Sequence, residues 1–294
     1  MKSLPLVLLV AGLLIAMNIQ AQDPFSLRKS FGSKNDKADP ASFTFNKPKD
    51  ADASWAADAA FGYNLLRKAP QIITLDPYIE FHKNTLIKKK QDSREVGLSL
   101  QWQTTTFRMG SPIWSPVFIV AEKYNEDRAK GNNSMRGNVY FTADFKGQHF
   151  GFFSFIVPNQ IVTAGDAFDF QYTPYVGVEH ENRTKAESDS ASGHIYRYLL
   201  RINPQISLFP TNNSMAGRIV LGVDYQYRRD FSKSVKEMAY NGHEYFTAGI
   251  KYVFIKSTDK RKFAAVGLDF VNGEDPTTNF KQQSYYAISL KVKM

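Results

Sequence analysis

Along most of the chain apolar and polar residues alternate singly. This is the period of a strand with one wall toward an apolar medium and the other toward a polar one. Leu98-Ser99-Leu100-Gln101-Trp102-Gln103 alternates without a break, and so does Phe168-Asp169-Phe170-Gln171-Tyr172-Thr173. Ile219, Leu221, Val223, Tyr225 and Tyr227 share one face. Tyr196, Tyr198, Leu200, Ile202, Ile206 and Leu208 share another, opposite Arg197, Arg201, Asn203, Gln205 and Ser207. Such segments are predicted at 55–66, 72–83, 94–107, 114–124, 136–145, 149–157, 167–180, 194–208, 218–230, 243–255, 262–271 and 281–293. That makes about twelve strands, each long enough to cross a bilayer when tilted. Turn and loop residues separate them at Glu126 to Ser134, Asn182 to Gly193, Lys233 to Gly242 and Gly273 to Asn279.

Two features strain this pattern. Pro77, Pro116, Pro174 and Pro204 fall inside or beside the strands, where a missing N–H interrupts a ladder. The long loops also fail to stay on one side of the sheet. Either a hairpin is misread around Lys146-Gly147 or a strand near residue 44 joins the wall, so about ten to fourteen strands remain open.

Alternation fits a soluble sandwich, with its apolar face as core, and a membrane barrel, with its polar face lining a lumen. Three features favour the barrel. The apolar walls are tall and carry Tyr or Phe near strand ends, and strands of about 12–15 residues exceed the five or six usual in soluble sheets. The third is the final strand, Tyr286 to Met294, which alternates Tyr286, Ile288, Leu290, Val292 and Met294 up to the chain end. It resembles the closing strand of bacterial outer-membrane β-barrels, although that strand commonly ends in Phe or Trp and this one in Met294. The resemblance implies an all-β, antiparallel transmembrane barrel in the outer membrane of a Gram-negative cell. Its partners are then outer-membrane lipids, lipopolysaccharide and the barrel-assembly machinery.

The N-terminus agrees with export. Lys2 precedes an apolar run from Leu4 to Met17, too short for a membrane helix, so 1–22 reads as a signal peptide. Residues 23–50 form a polar N-terminal arm with one short strand at Ser42 to Asn46, and 51–294 form the barrel.

Composition adds exclusions. The chain has no cysteine, which removes disulfides, thiolate metal sites and cysteine nucleophiles. Aromatics are abundant (23 Phe, 15 Tyr), as pleated surfaces favour. The formal charge of +9 suits anionic lipid or small anionic solutes. Nucleic acid is excluded as a partner by the leader.

The expected inner face carries the acids Asp58, Asp76, Glu80, Asp169, Glu179 and Asp224. Its bases are Arg197, Arg201, Arg218, Arg228, Lys251 and Lys291. They are the pore-lining candidates if the lumen selects solutes by charge; if the barrel is narrow, they fill it as ion pairs. Arg197 and Arg201 lie four apart on one face, spaced either as an anion ladder or as two members of separate pairs. Glu80 and His82 share a face without specifying a metal geometry, and no metal or other cofactor is expected. A barrel enzyme acting on lipids needs a serine, a histidine and an orienting group. Ser192 and His194 do not match the His-x-Ser-Asn-Gly type of motif of outer-membrane phospholipases. A passive pore, or a structural or receptor-like membrane barrel, is the leading expectation. The alternatives are a lipid-modifying barrel enzyme and a soluble exported β-protein that binds a ligand.

Overall fold

In the computed structural model the alternating segments close into a single antiparallel barrel. The structure describes residues 24–46, 54–66, 73–85, 91–103, 114–145, 151–186, 188–236, 242–257, 262–278 and 280–294. The expected signal peptide lies outside them. The strands are β1 (Phe25–Arg28), β2 (Ala41–Asn46), β3 (Ser54–Tyr63), β4 (Ile73–Asn84), β5 (Gln91–Gln103), β6 (Trp114–Asp127) and β7 (Asn132–Phe145). They continue as β8 (Val162–Ala164), β9 (Phe168–Lys185), β10 (Gly193–Leu208), β11 (Ile219–Lys233), β12 (Gly242–Lys256), β13 (Phe263–Asp275) and β14 (Lys281–Lys293). Each wall strand pairs with the next. β14 returns to β2 through Ile288↔Phe45 to Val292↔Ala41, which closes a ring of 12 strands with β1 and β8 as extras.

Two segments change role, and several strand ends shift: β7 begins at Asn132 and β9 runs on to Lys185. The segment 149–157 contains a 3-10 turn at Gly151–Ile156, and the wall strand in its place is β2. The exchange keeps the strand number and removes the loop-parity conflict.

Three of the four prolines sit where a ladder has lapsed on one side. β3–β4 pairing stops at Gly62↔Tyr78, one residue short of Pro77. The described β5–β6 pairing runs to Gln103↔Val117, next to Pro116. β7–β9 pairing stops at Phe141↔Val176, before Pro174. The β10–β11 register skips from Ile202↔Tyr225 to Gln205↔Gly222, past Pro204. A residue without an N–H is tolerated at such positions because no neighbour asks for it.

The side-chain faces follow the alternation. On β4, Thr74, Asp76, Tyr78, Glu80, His82 and Asn84 are buried inward, while Ile73, Ile79 and Phe81 are exposed on the outside. On β10, Arg197 is 3 % exposed, whereas its neighbours Tyr196 and Tyr198 are 43 % and 53 % exposed. The inner face is not wholly polar. Val117, Ile119, Tyr140, Tyr175 and Leu199 form a buried apolar cluster on the lumen side.

The β7/β9 seam is bridged by one side chain beyond the last ladder pair. Asn159 Nδ2 donates to Thr142 Oγ1 (3.0 Å) and to the Ala143 carbonyl (2.8 Å). Its backbone N–H donates to the Tyr172 carbonyl (2.9 Å), and its Oδ1 accepts from Thr173 Oγ1 (2.6 Å). Asn159 holds φ at 57°, a left-handed conformation that asparagine tolerates better than most residues. Asn159→Ala is expected to strand the buried Thr142 and Thr173 hydroxyls and to lower stability by about 1–3 kcal/mol. The readout is the denaturant midpoint in detergent; an unchanged midpoint would show that the seam is held elsewhere.

Candidate functional site

The functional interest of the barrel lies in its lumen, which is blocked by a piece of its own wall. β1 and β2 pair successively with β3: Arg28 lies opposite Ala60 and Ser42 opposite Asp58. Arg28 and Ala41 therefore occupy consecutive rungs, and residues 29–40 are an excursion between two halves of one strand. The Lys29 N–H donates to the Asp39 carbonyl (2.8 Å) and closes the base of this excursion. Leu27 and Met294 exchange backbone hydrogen bonds, both at 3.1 Å, which seats β1 beside the chain end.

The excursion turns inward and is held from several strands. Its anchor is Phe31, 1 % exposed, stacked on Tyr78 with ring centroids 4.5 Å apart and with the Arg28 guanidinium 4.0 Å from its centroid. Gly62 makes room for it, since a Cβ at that position would overlap the Phe31 ring. The Phe31 N–H donates to Glu80 Oε1 (2.8 Å), and its carbonyl accepts from Ser99 Oγ (3.2 Å). Asn35 reaches Gln101 through its N–H and Thr74 through its side chain, both at 2.9 Å. Across the lumen, Lys34 Nζ lies 2.7 Å from Asp144, and Asp39 lies 2.8 Å from Arg201. Burial opposes the Lys34 ammonium, but the carboxylates of Asp36 and Asp144 outweigh it and hold its pKa above the ordinary lysine range.

On the other side of this plug the lumen is crossed by ion pairs. Arg201 meets Asp224 (2.7 Å), Arg228 meets Glu179 (2.9 Å), and Arg197 is shared between Glu181 (3.0 Å) and Asp230 (2.9 Å). Arg136 links Glu181 (3.4 Å) to Glu95 (3.5 Å). The ring of Phe280, from the β13–β14 turn, lies 4.6 Å from the Arg197 guanidinium and 5.9 Å from that of Arg228. What remains open between plug and turn is a cavity of about 150 Å³, lined by residues such as Ser30, Tyr140 and Arg228.

The structure thus brings together Glu80, Arg197, Arg201, Arg228, Asp224 and Glu179. The Arg197/Arg201 spacing serves two separate ion-paired clusters rather than a free ladder. Asp58 is bound by His82 Nδ1 (2.8 Å), and Asp76 is buried near the plug. Lys291 pairs with Asp269 at 2.6 Å, and Lys251 places its Nζ 4.8 Å from the Phe263 ring centroid. Two candidates stand apart. Asp169 accepts from Thr163 Oγ1 in the exposed β8–β9 hairpin (2.6 Å), and Arg218 donates to the carbonyls of Ser214, Val253 and Phe254.

Glu80, His82 and Glu95 place ligand atoms within 4.8 Å of one another, a set that composition alone would assign to a metal. Geometry assigns it to an ion-pair network. Lys123 Nζ sits 3.0 Å from Glu80 and is paired with Glu95, so an ammonium already occupies the cation position between the two carboxylates. At the Ser192/His194 pair, the His194 backbone N–H donates to Ser234 Oγ at 2.8 Å. The plug residues Phe31, Lys34, Asn35 and Asp39 were not among the sequence candidates. Their only local signal is an apolar Phe31-Gly32 inside a polar arm.

No family model matches the chain, and no curated protein matches it in sequence. Among solved structures 24 chains match. One, described as a bacterial polysaccharide outer membrane secretin, has 6% sequence identity and a TM-score of 0.36 over 92% of this chain and 95% of that chain.

The buried pairs carry a stability prediction. Arg197→Met leaves Glu181 and Asp230 without their shared cation and is expected to cost about 3–5 kcal/mol. Lys83→Met, at the more exposed Lys83–Asp92 pair, is expected to cost less than about 1 kcal/mol. Urea titration in detergent compares the two, and equal costs would show that the lumen pairs are solvated.

Proposed function

We propose that this chain is an outer-membrane barrel that works as a gated channel, closed in the described state by residues 29–40 and opened when they leave the lumen. Membrane insertion is supported by the inversion of the usual protein pattern. Val96, Leu200, Leu268 and Ile288 are exposed on the outside, whereas Glu80, Glu95 and Arg197 are buried within. Lipid is the medium in which such a surface is stable, and a closed ladder is what lets strands cross it.

The observation that carries the gating reading is the break in one wall strand between Arg28 and Ala41. A filling element that served stability alone needs no such placement. Here the wall is continuous across the break, so the plug is separable from the barrel that surrounds it. A structural or receptor-like barrel, whose plug never moves, is the second reading. It is favoured by the density of ion pairs that remains behind the plug.

Planar-bilayer conductance distinguishes them. A variant joining Arg28 directly to Ala41 keeps consecutive rungs and is expected to conduct steadily, several-fold above the parent chain. Gly62→Val, which removes the seat of Phe31, is expected to raise the open probability without a deletion. If the joined variant shows the heat-modifiable mobility of a folded barrel yet carries no current, the lumen is structural and the gating reading fails.

A further inference from the structure

The β7/β9 seam holds a cavity of about 480 Å³, within the range of small-molecule sites of about 300–1,000 Å³. Its walls are Trp114, Phe141, Phe145 and Val176, and Pro158 and Pro174 form its rim. The floor is Thr142 and Tyr175, both buried on the lumen side. We propose that this seam is a lateral binding groove for the hydrocarbon chain of a membrane lipid. The proposal rests on the membrane reading above and adds a specific site to it.

The groove exists because the ladder stops. β7 and β9 pair from Asn133↔Lys185 to Phe141↔Val176, and the remainder of each strand runs on without the other. Open strand edges are costly toward lipid unless their polar groups find partners. Here Asn159 takes up Thr142, Ala143, Tyr172 and Thr173 across the gap. Pro158 and Pro174 bring no N–H to the rim. The Tyr175 hydroxyl accepts from the Lys34 backbone N–H at 3.3 Å. These polar atoms at the seam are engaged within the protein, and the lining contains no charged side chain.

That leaves hydrocarbon as the occupant. A headgroup or a sugar finds no hydrogen-bonding or ionic partner in this lining, whereas an acyl chain needs none. The mouth is continuous with the outward apolar face: Trp114 and Val176 are both exposed on it, as is Val139 further along β7. A bilayer lipid reaches the groove by lateral diffusion, with its headgroup left at the membrane surface. The floor is shared with the plug through Tyr175, and Asp144 next to Ala143 holds Lys34. An occupied groove therefore touches the elements that keep residues 29–40 in place.

The test uses the full barrel in phosphatidylethanolamine vesicles that contain a phosphatidylethanolamine with a photoreactive diazirine on its acyl chain. After irradiation, labelled positions are mapped by mass spectrometry. Labelling is expected to be several-fold denser at Trp114, Phe141, Phe145 and Val176 than at the outward residues of β10 to β13. Excess unlabelled lipid is expected to compete it away. Ala143→Phe and Val176→Phe, which fill the groove from opposite walls, are expected to abolish the excess; Val139→Phe is expected to leave it intact. Heat-modifiable mobility checks that each variant is folded. Even labelling along the whole outer belt, or an excess that survives both filling variants, overturns the groove while leaving the membrane reading in place. Absence of labelling anywhere on the belt overturns the membrane reading itself.

Discussion

A barrel wall must satisfy its own backbone by closing its ladder, and most of this molecule follows from that constraint. Closure here depends on β14 finding β2. Where the ladder lapses, the structure supplies something else. Proline removes the donor at Pro77 and Pro204. At the β7/β9 seam, Pro174 and the Asn159 bridge do it together. The interruptions are thus of one physical kind, places where the sheet has given up a partner at low cost.

Closure also decides the interior. Single-residue alternation sends every second side chain inward, so a polar inner face is the unavoidable counterpart of an apolar outer one. In a barrel of this size those groups are crowded rather than hydrated. An isolated buried charge is far more costly than a paired one, and the lumen answers by matching signs: Arg197 with Glu181 and Asp230, Arg201 with Asp224, Arg228 with Glu179. The plug obeys the same rule. Lys34 and Asp39 enter the lumen because Asp144 and Arg201 offer opposite charges there, and the Phe31 ring enters because Tyr78 and the bare Gly62 leave it an apolar slot.

Much of the wall was legible in the sequence, because a period of two is a local signal that survives without knowledge of neighbours. β10 and β11 show it plainly, with Arg197 and Arg201 falling inward opposite Tyr196 and Tyr198. The signal fails where both faces are apolar. On β6, Val117 and Ile119 turn inward to the buried cluster while Phe118 and Val120 face out, and no alternation marks which is which. It fails again at 149–157, where an aromatic-rich run that reads as a strand forms a turn beside the seam. The plug was invisible for a different reason. Its seat is made by residues far along the chain, from Glu80 to Arg201, and a polar stretch with one Phe-Gly pair carries no trace of them. Individual lumen residues could be named in advance, but their pairing could not, since it depends on registers between strands.

The position of the plug within a strand, rather than at a free terminus, bears on how it works. Both of its ends are fixed at neighbouring rungs of β3, so on the gating reading a released segment would stay tethered at the lumen mouth. The tether keeps its effective concentration at the lumen high. The entropic cost of closing a loop grows only slowly with its length, so reseating a segment this short costs little. On the gating reading, such a tether would favour the closed state and keep exchange local. The gating reading has the wall stand with the segment in or out, because Arg28 and Ala41 occupy consecutive rungs. Stability of the barrel and occupancy of the lumen are thereby assigned to different parts of the same strand, and a contact that loosens the plug does not have to loosen the wall.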